Sequence, residues 1–355
     1  LKNRAASGSA LSSVDVVDLR KEMQEGNKSM FSRRLKELIE DRLRKKEQIM
    51  LFINRRGNSN FISCRSCGEA VKCPHCDVSL TLHGTSRLVC HYCGYSVPLM
   101  KLCPSCGSPY IAGFGAGTQK LEELTGKAFP QARILRMDAD TTARKGGHEE
   151  ILAAFSAHEA DILIGTQMIV KGHDFGNVTL VGIMAADLSL NTPDYRCSER
   201  TFQLLTQAAG RAGRGSLSGN VVIQTYKPEH YAIVTAAEQN YEEFYRREML
   251  YRKMMNYPPA CYMEAVLFAG NNEKTVERCS DLALSTVRKM GYEENEIQMI
   301  GPVRAPVYKV NDIYRKILYI KHENYDILIQ IRKMAELRLK EAEGRFGLTI
   351  QYDLT

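Results

Sequence analysis

Asp161-Ile-Leu-Ile-Gly-Thr-Gln-Met168 and Gln207-Ala-Ala-Gly-Arg-Ala-Gly-Arg214 bracket the stretch on which the reading of this chain turns. Ile162 to Ile164 is a short apolar run stopped by Gly165 and Thr166, the pattern of a buried parallel strand that empties into a loop. In open α/β sheets, ligands sit beyond the carboxyl ends of such strands. The closing Gly-Arg-x-Gly-Arg sets Arg211 and Arg214 three residues apart, hence on one face if the segment is helical. A guanidinium stays charged and forks onto phosphate oxygens, so such a pair suits charge developing on a γ-phosphate. Each half alone is commonplace, since a Gly-Thr after a strand is ordinarily a loop and two arginines a solvated face. Both in order, about forty residues apart around one strand–helix unit, point to nucleotide handling.

The flanks extend the pattern. Phe31, Leu35, Leu38, Ile39 and Leu43 follow helical spacing behind Ser32 as N-cap, and Ile49 to Ile53 is an apolar strand ending on Arg55-Arg56-Gly57. Strands at Arg133–Met137, Ile162, Thr179–Ala185 and Asn220–Thr225 alternate with helices at Leu121–Ala128, Glu149–Phe155 and Arg200–Ala209. That alternation predicts an α/β lobe, a parallel sheet with helices on both faces. Glu229 to Asn256 reads as one helix, stopped by Pro258-Pro259. Beyond the prolines, a βαββαβ order predicts a small α+β domain on the split-βαβ plan.

Eight cysteines form four Cys-x-x-Cys knuckles: Cys64/Cys67, Cys73/Cys76, Cys90/Cys93 and Cys103/Cys106. Three carry glycine directly after the second cysteine, a residue that accepts the positive φ of a metal knuckle. Thiols so spaced imply two structural zinc ions, with redox catalysis the weaker competitor. Five residues separate the first knuckle from the second and thirteen the second from the third. These gaps favour a nested pairing, Cys73, Cys76, Cys90 and Cys93 around one zinc and the outer four around the other. They leave a cross-braced pairing of alternate knuckles open. Between the inner knuckles, Val78–Leu82 and Arg87–Val89 read as a hairpin turning at His83-Gly84.

Composition sets the frame. A chain of 355 residues, 44% hydrophobic and 25% charged, suits two or three globular domains. Forty-eight Lys+Arg against 41 Asp+Glu permits nucleic-acid binding without requiring it. No run of ~18 apolar residues spans a bilayer, so the expectation is a cytoplasmic protein. The sequence holds no Gly-x-x-x-x-Gly-Lys-Ser/Thr, and Gly113-Phe-Gly-Ala-Gly-Thr118 lacks the lysine, so an ATP served by the arginines would be bound elsewhere. The chain, which opens on Leu1, is therefore expected to be a carboxy-terminal fragment that does not hydrolyse ATP alone.

The string Gly165-Thr166-Gln167-Met168, Lys171-Gly172-His173-Asp174-Phe175, Pro193-Asp194-Tyr195-Arg196, Glu199-Arg200 and Gln207-x-x-Gly-Arg-x-Gly-Arg214, with the eight-cysteine insert, resembles the PriA family of bacterial replication-restart helicases in superfamily 2. The resemblance covers nearly the whole chain. It departs at Gly176, where the family usually has proline, and at Cys197, where it has a small residue.

What the resemblance implies is specific. The fold would be a RecA-like second lobe, an inserted two-zinc module with nested pairing, and a small α+β carboxy-terminal domain. The expected bounds are 1–28 for a connector from a first lobe, 29–60 and 111–230 for the second lobe, 61–110 for the insert, and 231–355 for a helical linker and terminal domain. The reaction would be ATP- and magnesium-dependent 3′→5′ unwinding of DNA at stalled or branched forks, leading to primosome assembly. Arg211, Arg214 and Gln207 would act on the nucleotide, while Gly165, Thr166, Gln167, Lys171, Gly172 and Asp174 couple it to DNA. Asp138 to Thr142 would correspond to motif IV. His83, Arg87, His91, Tyr92, Lys309, Arg315 and Lys316 would touch DNA. Partners would be branched and single-stranded DNA, single-strand-binding protein and helicase-loader proteins, around a monomer associated with the bacterial nucleoid. The competing expectation is a non-catalytic, zinc-stabilised scaffold that binds nucleic acid or protein, which leaves Gly-Arg-x-Gly-Arg without a role.

Overall fold

A computed structural model describes residues 12–53, 61–84, 86–113, 117–144, 146–170, 175–213, 218–292, 296–346 and 348–355, with the side chains of 170 and 341–346 left aside. The connector expectation at 1–11, the Arg55-Arg56-Gly57 loop, most of the Gly113–Thr118 turn, Lys171, Gly172, Asp174 and Arg214 lie outside the described residues.

In chain order the elements are β1 (Ser13–Asp18), α1 (Leu19–Gln24), α2 (Arg33–Lys45), β2 (Gln48–Phe52), β3 (Ile62–Cys64), β4 (Thr81–His83), β5 (Arg87–Val89), β6 (Ser96–Pro98) and β7 (Ile111–Gly113). Next come α3 (Thr118–Ala128), β8 (Ile134–Met137), α4 (Gly147–Ser156), β9 (Ile162–Gly165), α5 (Gln167–Val170), β10 (Val178–Ile183), α6 (Asp187–Leu190), α7 (Cys197–Ala209) and β11 (Asn220–Thr225). The remainder is α8 (Tyr231–Ala237), α9 (Tyr241–Met254), β12 (Tyr262–Gly270), α10 (Glu273–Arg288), β13 (Gln298–Val310), β14 (Ile313–His322), α11 (Tyr325–Phe346) and β15 (Thr349–Leu354). The chain packs as two compact units: Leu1–Val71 with Met100–Tyr245, and Lys72–Leu99 with Arg246–Thr355.

Unit 1 is the expected α/β lobe. Its six-stranded sheet runs β1-β11-β10-β2-β9-β8, with every pairing parallel. The central strands β2, β9 and β10 are buried throughout, which matches their unbroken apolar runs. One face carries Phe52, Leu163, Val181, Phe202 and Ile223, the other Leu35, Ile39, Ile49, Ile164 and Val222. Ser32 caps α2 by accepting from the Leu35 amide at 3.2 Å. The helix then buries Leu35, Leu38 and Ile39 on one stripe. Each such side chain stabilises the lobe by ~1.5–3 kcal/mol, so Leu35→Ala would open its contact with Gly182 of β10. Ser13–Asp18, inside the stretch expected as a connector, is the sheet's edge strand, bonded along its length to β11.

The Glu229–Asn256 helix is broken in two. Gln239 takes a left-handed φ of 54°, and the Asn240 side chain accepts from the Glu243 amide at 3.0 Å, starting α9 anew.

Unit 2 combines a three-stranded ribbon, β4-β5-β6, with a four-stranded antiparallel sheet, β13-β14-β12-β15. The β12-α10-β13-β14-α11-β15 order with the first strand in the interior is the split-βαβ plan. Val266, Phe268, Val276, Ala283, Leu328 and Ile331 are among its core. Strands β13 and β14 are long and reach the Asn311-Asp312 turn as one hairpin. Pro302 and Pro306 do not stop β13, because it is an edge strand whose register shifts over Ile300–Val303 and Arg304–Lys309.

Candidate functional site

The eight knuckle cysteines meet in two groups of four, Cys64/Cys67/Cys103/Cys106 and Cys73/Cys76/Cys90/Cys93. The nested arrangement is the one formed, not the cross-braced one. Within each group all Sγ atoms lie within 4.8 Å of one another. Sulfurs held ~2.3 Å from a tetrahedral zinc stand ~3.8 Å apart. The observed Cys64–Cys106 and Cys67–Cys103 separations are 3.7 Å, and Cys73–Cys93 is 3.5 Å. Both donor sets fit zinc.

The backbone explains why the knuckles form. In each, the residue after the second cysteine returns its amide to the first cysteine's carbonyl, from Gly68, Asp77, Gly94 and Gly107 at 2.9–3.0 Å. All four have positive φ, 78° at Gly68 and 51° at Asp77. Glycine serves three of these positions without strain, and aspartate is one of the few other residues that tolerates the region. At Gly68 a Cβ would also come within 2.3 Å of the Tyr226 carbonyl oxygen, so space and conformation both demand glycine.

Crowded thiols compete for protons. The Cys76 thiol is pushed far up by its bond to Cys90 and by burial. Cys73 is pushed up to about 12 by burial and the neighbouring sulfurs. Cys90, favoured by the Cys76 hydrogen bond, falls to about 5. A cation at the centre relieves that competition by holding every sulfur as thiolate.

The outer group is tied within unit 1 by polar contacts. Ser66 meets Ser108 at 2.8 Å, Lys227 pairs with Glu69 at 2.9 Å, and the Arg65 guanidinium lies 5.3 Å from the Tyr226 ring centre. The inner group is tied within unit 2 by aromatic contacts. Tyr92 stacks on Tyr319 at 5.0 Å. The fully buried Tyr257 donates its hydroxyl to the Cys76 carbonyl at 3.0 Å, and the Lys321 ammonium sits 3.8 Å from its ring centre.

The strand-end and helix-end motifs are built as follows. Gly165 ends β9 where a Cβ would strike Ile169 at 2.5 Å and the Met137 carbonyl at 2.7 Å, so only glycine closes this strand. Thr166 and Gln167 follow it, half-buried, at the start of α5. Ile169 of α5 and Ala208 of α7 join one core cluster. Gln207 is exposed and Arg211, four residues on, is half-buried, while Ala208, Ala209 and Ala212 face the core. The end of α7 thus leaves Gln207 exposed and Arg211 partly covered and packs its alanines inward. Asp194 pairs with Arg200 at 2.8 Å and with Arg196 at 3.5 Å, fixing the entry to α7. Asp138 accepts from the Thr118 hydroxyl at 2.5 Å and from the Asp140 and Thr141 amides, so the Asp138–Thr142 stretch is a self-bonded turn.

The residues expected at DNA fall on unit 2. His83 and Arg87 are exposed, whereas His91 and Tyr92 are buried. The His83 and His91 Nε2 atoms are 3.1 Å apart, and burial together with His83 lowers His91 to about 4. Lys309 is exposed and pairs with Asp312 at 2.8 Å, while Arg315 and Lys316 are half-buried on β14. Among the buried carboxyls not legible as such in the sequence are Asp187 in unit 1 and Glu264 in unit 2. Among the described residues, no helix is long and apolar enough to cross a membrane.

Residues 73–98 match the PriA DNA helicase Cys-rich region domain, residues 253–353 the Primosomal protein N C-terminal domain, and residues 111–216 the Helicase conserved C-terminal domain. Replication restart protein PriA of Bacillus subtilis is 44% identical over 335 residues, covering 94% of this chain and 41% of that protein. Replication restart protein PriA of Synechocystis is 42% identical, covering 91% of this chain and 40% of its own. The protein of that name from Chlamydia trachomatis is 38% identical, covering 94% and 44%. The chain spans about two-fifths of the length of these relatives.

Proposed function

The chain belongs to the PriA family, and from that premise we propose that it is the second motor lobe and carboxy-terminal part of an ATP-dependent 3′→5′ DNA helicase. In this reading Arg211 and Arg214 stabilise charge on the γ-phosphate of an ATP–magnesium complex, and Gln207 positions the nucleotide. Gly165, Thr166, Gln167, Lys171, Gly172 and Asp174 link the nucleotide cleft to the DNA track. The phosphate cradle and magnesium carboxylates belong to sequence outside this chain, so the chain alone does not turn ATP over. The two thiolate centres hold zinc for shape; closed four-thiolate sites leave no position open for chemistry.

The observation that carries the reading is the exit of α7. Gln207 lies exposed and Arg211 half-buried at a turn whose alanines pack into the sheet's core. A guanidinium anchored so close to a rigid sheet can be held to the sub-ångström placement that transition-state stabilisation needs. Further along the same reading, the protein recognises stalled or branched forks in the bacterial cytoplasm, meets single-strand-binding protein and helicase loaders, and starts primosome assembly.

The test is DNA-stimulated ATP hydrolysis by the full-length protein and its Arg211→Ala and Arg214→Ala variants. Loss of an arginine of this kind costs roughly 10³-fold or more in turnover. A drop of that size with nucleotide binding retained supports the reading. Undiminished hydrolysis in both variants would refute it. No hydrolysis in any form, with DNA and zinc binding intact, would favour a zinc-stabilised scaffold.

A further inference from the structure

Unit 2 contains a cleft of about 630 Å³ that none of the motor motifs uses. One wall is the zinc ribbon, with His83 of β4 and Arg87 of β5; the other is Arg304 and Tyr308 of β13, Lys316 of β14, and Glu273 and Glu277 of α10. The walls are close-fitting, since a Cβ on Gly94 would stand 3.2 Å from Val303, and both residues line the cleft. We propose that this cleft holds a single unpaired nucleotide of a nucleic-acid strand, its phosphodiester on Arg87, Arg304 and Lys316 and its base against Tyr308.

Charge selects the ligand class. Three cations, Arg87, Arg304 and Lys316, line the cleft with two carboxylates, Glu273 and Glu277, a set that suits a ligand carrying a single negative charge such as one phosphodiester. A triphosphate or an acidic peptide would bring several negative charges against Glu273 and Glu277. Each cation at rest is held by a weak local partner that a phosphate oxygen can replace. Lys316 lies 3.1 Å from Glu277, Arg304 lies 3.6 Å from Glu273, and Arg87 bonds the Ser96 hydroxyl. Half-exposed pairs of this kind contribute little, whereas charge-assisted bonds to phosphate are strong.

Size and shape narrow the class further. The volume lies in the range that encloses one ligand of a few hundred daltons, ~300–1,000 Å³, enough for a nucleotide and far too small for a duplex. Arg304 lies over one face of the Tyr308 ring, 4.3 Å from its centre, so cation and ring already form a stack that a base can continue. Carboxylates beside that surface accept hydrogen bonds from base amino groups, which are engaged in a paired base but free in an unpaired one.

This assignment rests on the DNA-handling part of the proposed function and not on its ATP part. The experiment titrates the chain, loaded with zinc, with a short single-stranded oligonucleotide carrying 2-aminopurine, across a range of salt. Arg304→Glu and Lys316→Ala are compared with the parent, and zinc content and circular dichroism report the fold. Arg304 is largely exposed, so its reversal leaves the unit folded. The expected results are roughly 10-fold weaker binding, a salt slope reduced by about 0.7 for each cation removed, and loss of 2-aminopurine quenching in Tyr308→Leu. Glu273→Gln is expected to move the other way, binding the strand more tightly and newly admitting a nucleoside triphosphate. Unchanged affinity and slope in Arg304→Glu overturn the cleft while leaving DNA handling in place. Equal competition by blunt duplex or by an acidic peptide also overturns it. Absence of any strand binding to the chain overturns both.

Discussion

The two units bury the same kinds of group in opposite ways. In unit 1 the outer cysteines form a clasp where the chain departs at Val71 and returns at Met100, and Cys106 is exposed. Its supports are polar and partly solvated, Lys227 with Glu69 and Arg65 with Tyr226. In unit 2 three of the four inner cysteines are buried and the support is the Tyr92, Tyr257 and Tyr319 cluster. One buried carboxyl from each unit makes a second comparison. Asp187 is buried in unit 1 but accepts from the Thr225 hydroxyl at 3.0 Å and the Tyr226 amide at 3.0 Å. Glu264 is buried in unit 2, and among the described residues neither of its oxygens finds a hydrogen-bond partner. A metal clasp on a wet rim holds a loop, whereas one inside an aromatic core is part of what folds the domain.

The largest expected effect tests that distinction directly. Structural zinc contributes ~10–16 kcal/mol in small zinc domains, comparable to the ~5–15 kcal/mol net stability of a whole domain. Cys76→Ser should therefore lose one zinc and raise hydrogen exchange throughout residues 72–99 and 246–355. Cys106→Ser should lose the other zinc and raise exchange only around residues 61–71 and 100–113. Zinc release to a metallochromic dye, with exchange mapped by mass spectrometry, reads both; full protection of 246–355 in Cys76→Ser would erase the contrast.

Next in size is the support itself. Tyr92→Ala removes a buried, stacked ring and should cost ~3–5 kcal/mol in denaturant unfolding of unit 2. Its outer counterpart, Arg65→Ala, removes a part-exposed cation–ring contact worth ~0.5–1 kcal/mol. Equal costs for the two would show that the inner cluster is no better packed than the outer.

Glu264 sharpens the comparison through pH. Burial raises its carboxyl from the ordinary 4.5 to about 7. The folded state then holds this proton more tightly than the unfolded chain, so stability falls as pH climbs from ~4.5 to ~7. The span corresponds to roughly 3 kcal/mol. Glu264→Gln should flatten that part of the pH–stability curve; an unaltered curve would mean that the carboxyl is solvated or paired. The smallest effect is Tyr257→Phe, which keeps the ring and loses only the hydrogen bond to the Cys76 carbonyl, costing ~1 kcal/mol in thermal unfolding.

How legible these features were follows their range along the chain. Ile162–Ile164 and Val221–Ile223 announced strands because a strand buried on both faces carries an unbroken apolar run. Ser32 announced its cap because an N-cap bond spans three residues. The knuckle glycines announced their positive φ for the same reason, while Asp77 showed the same conformation without glycine's signal. The edge strand β1 was only half legible, since its partner β11 lies about two hundred residues away. The long β13–β14 hairpin was hidden behind Pro302 and Pro306, which end a central strand but not an edge one.

By itself the sequence determined the α/β alternation, the eight metal-binding thiols, the closing arginine motif and the split-βαβ order, because each is written in short spacings that local geometry obeys. Only the tertiary structure decided that the two thiolate centres belong to different units. It alone buried His91 and Tyr92, left Glu264 without a hydrogen-bond partner among the described residues, and assembled a cleft from β4, β5, β13, β14 and α10. Those outcomes depend on which distant surfaces exclude water from one another, and no spacing along the chain records that.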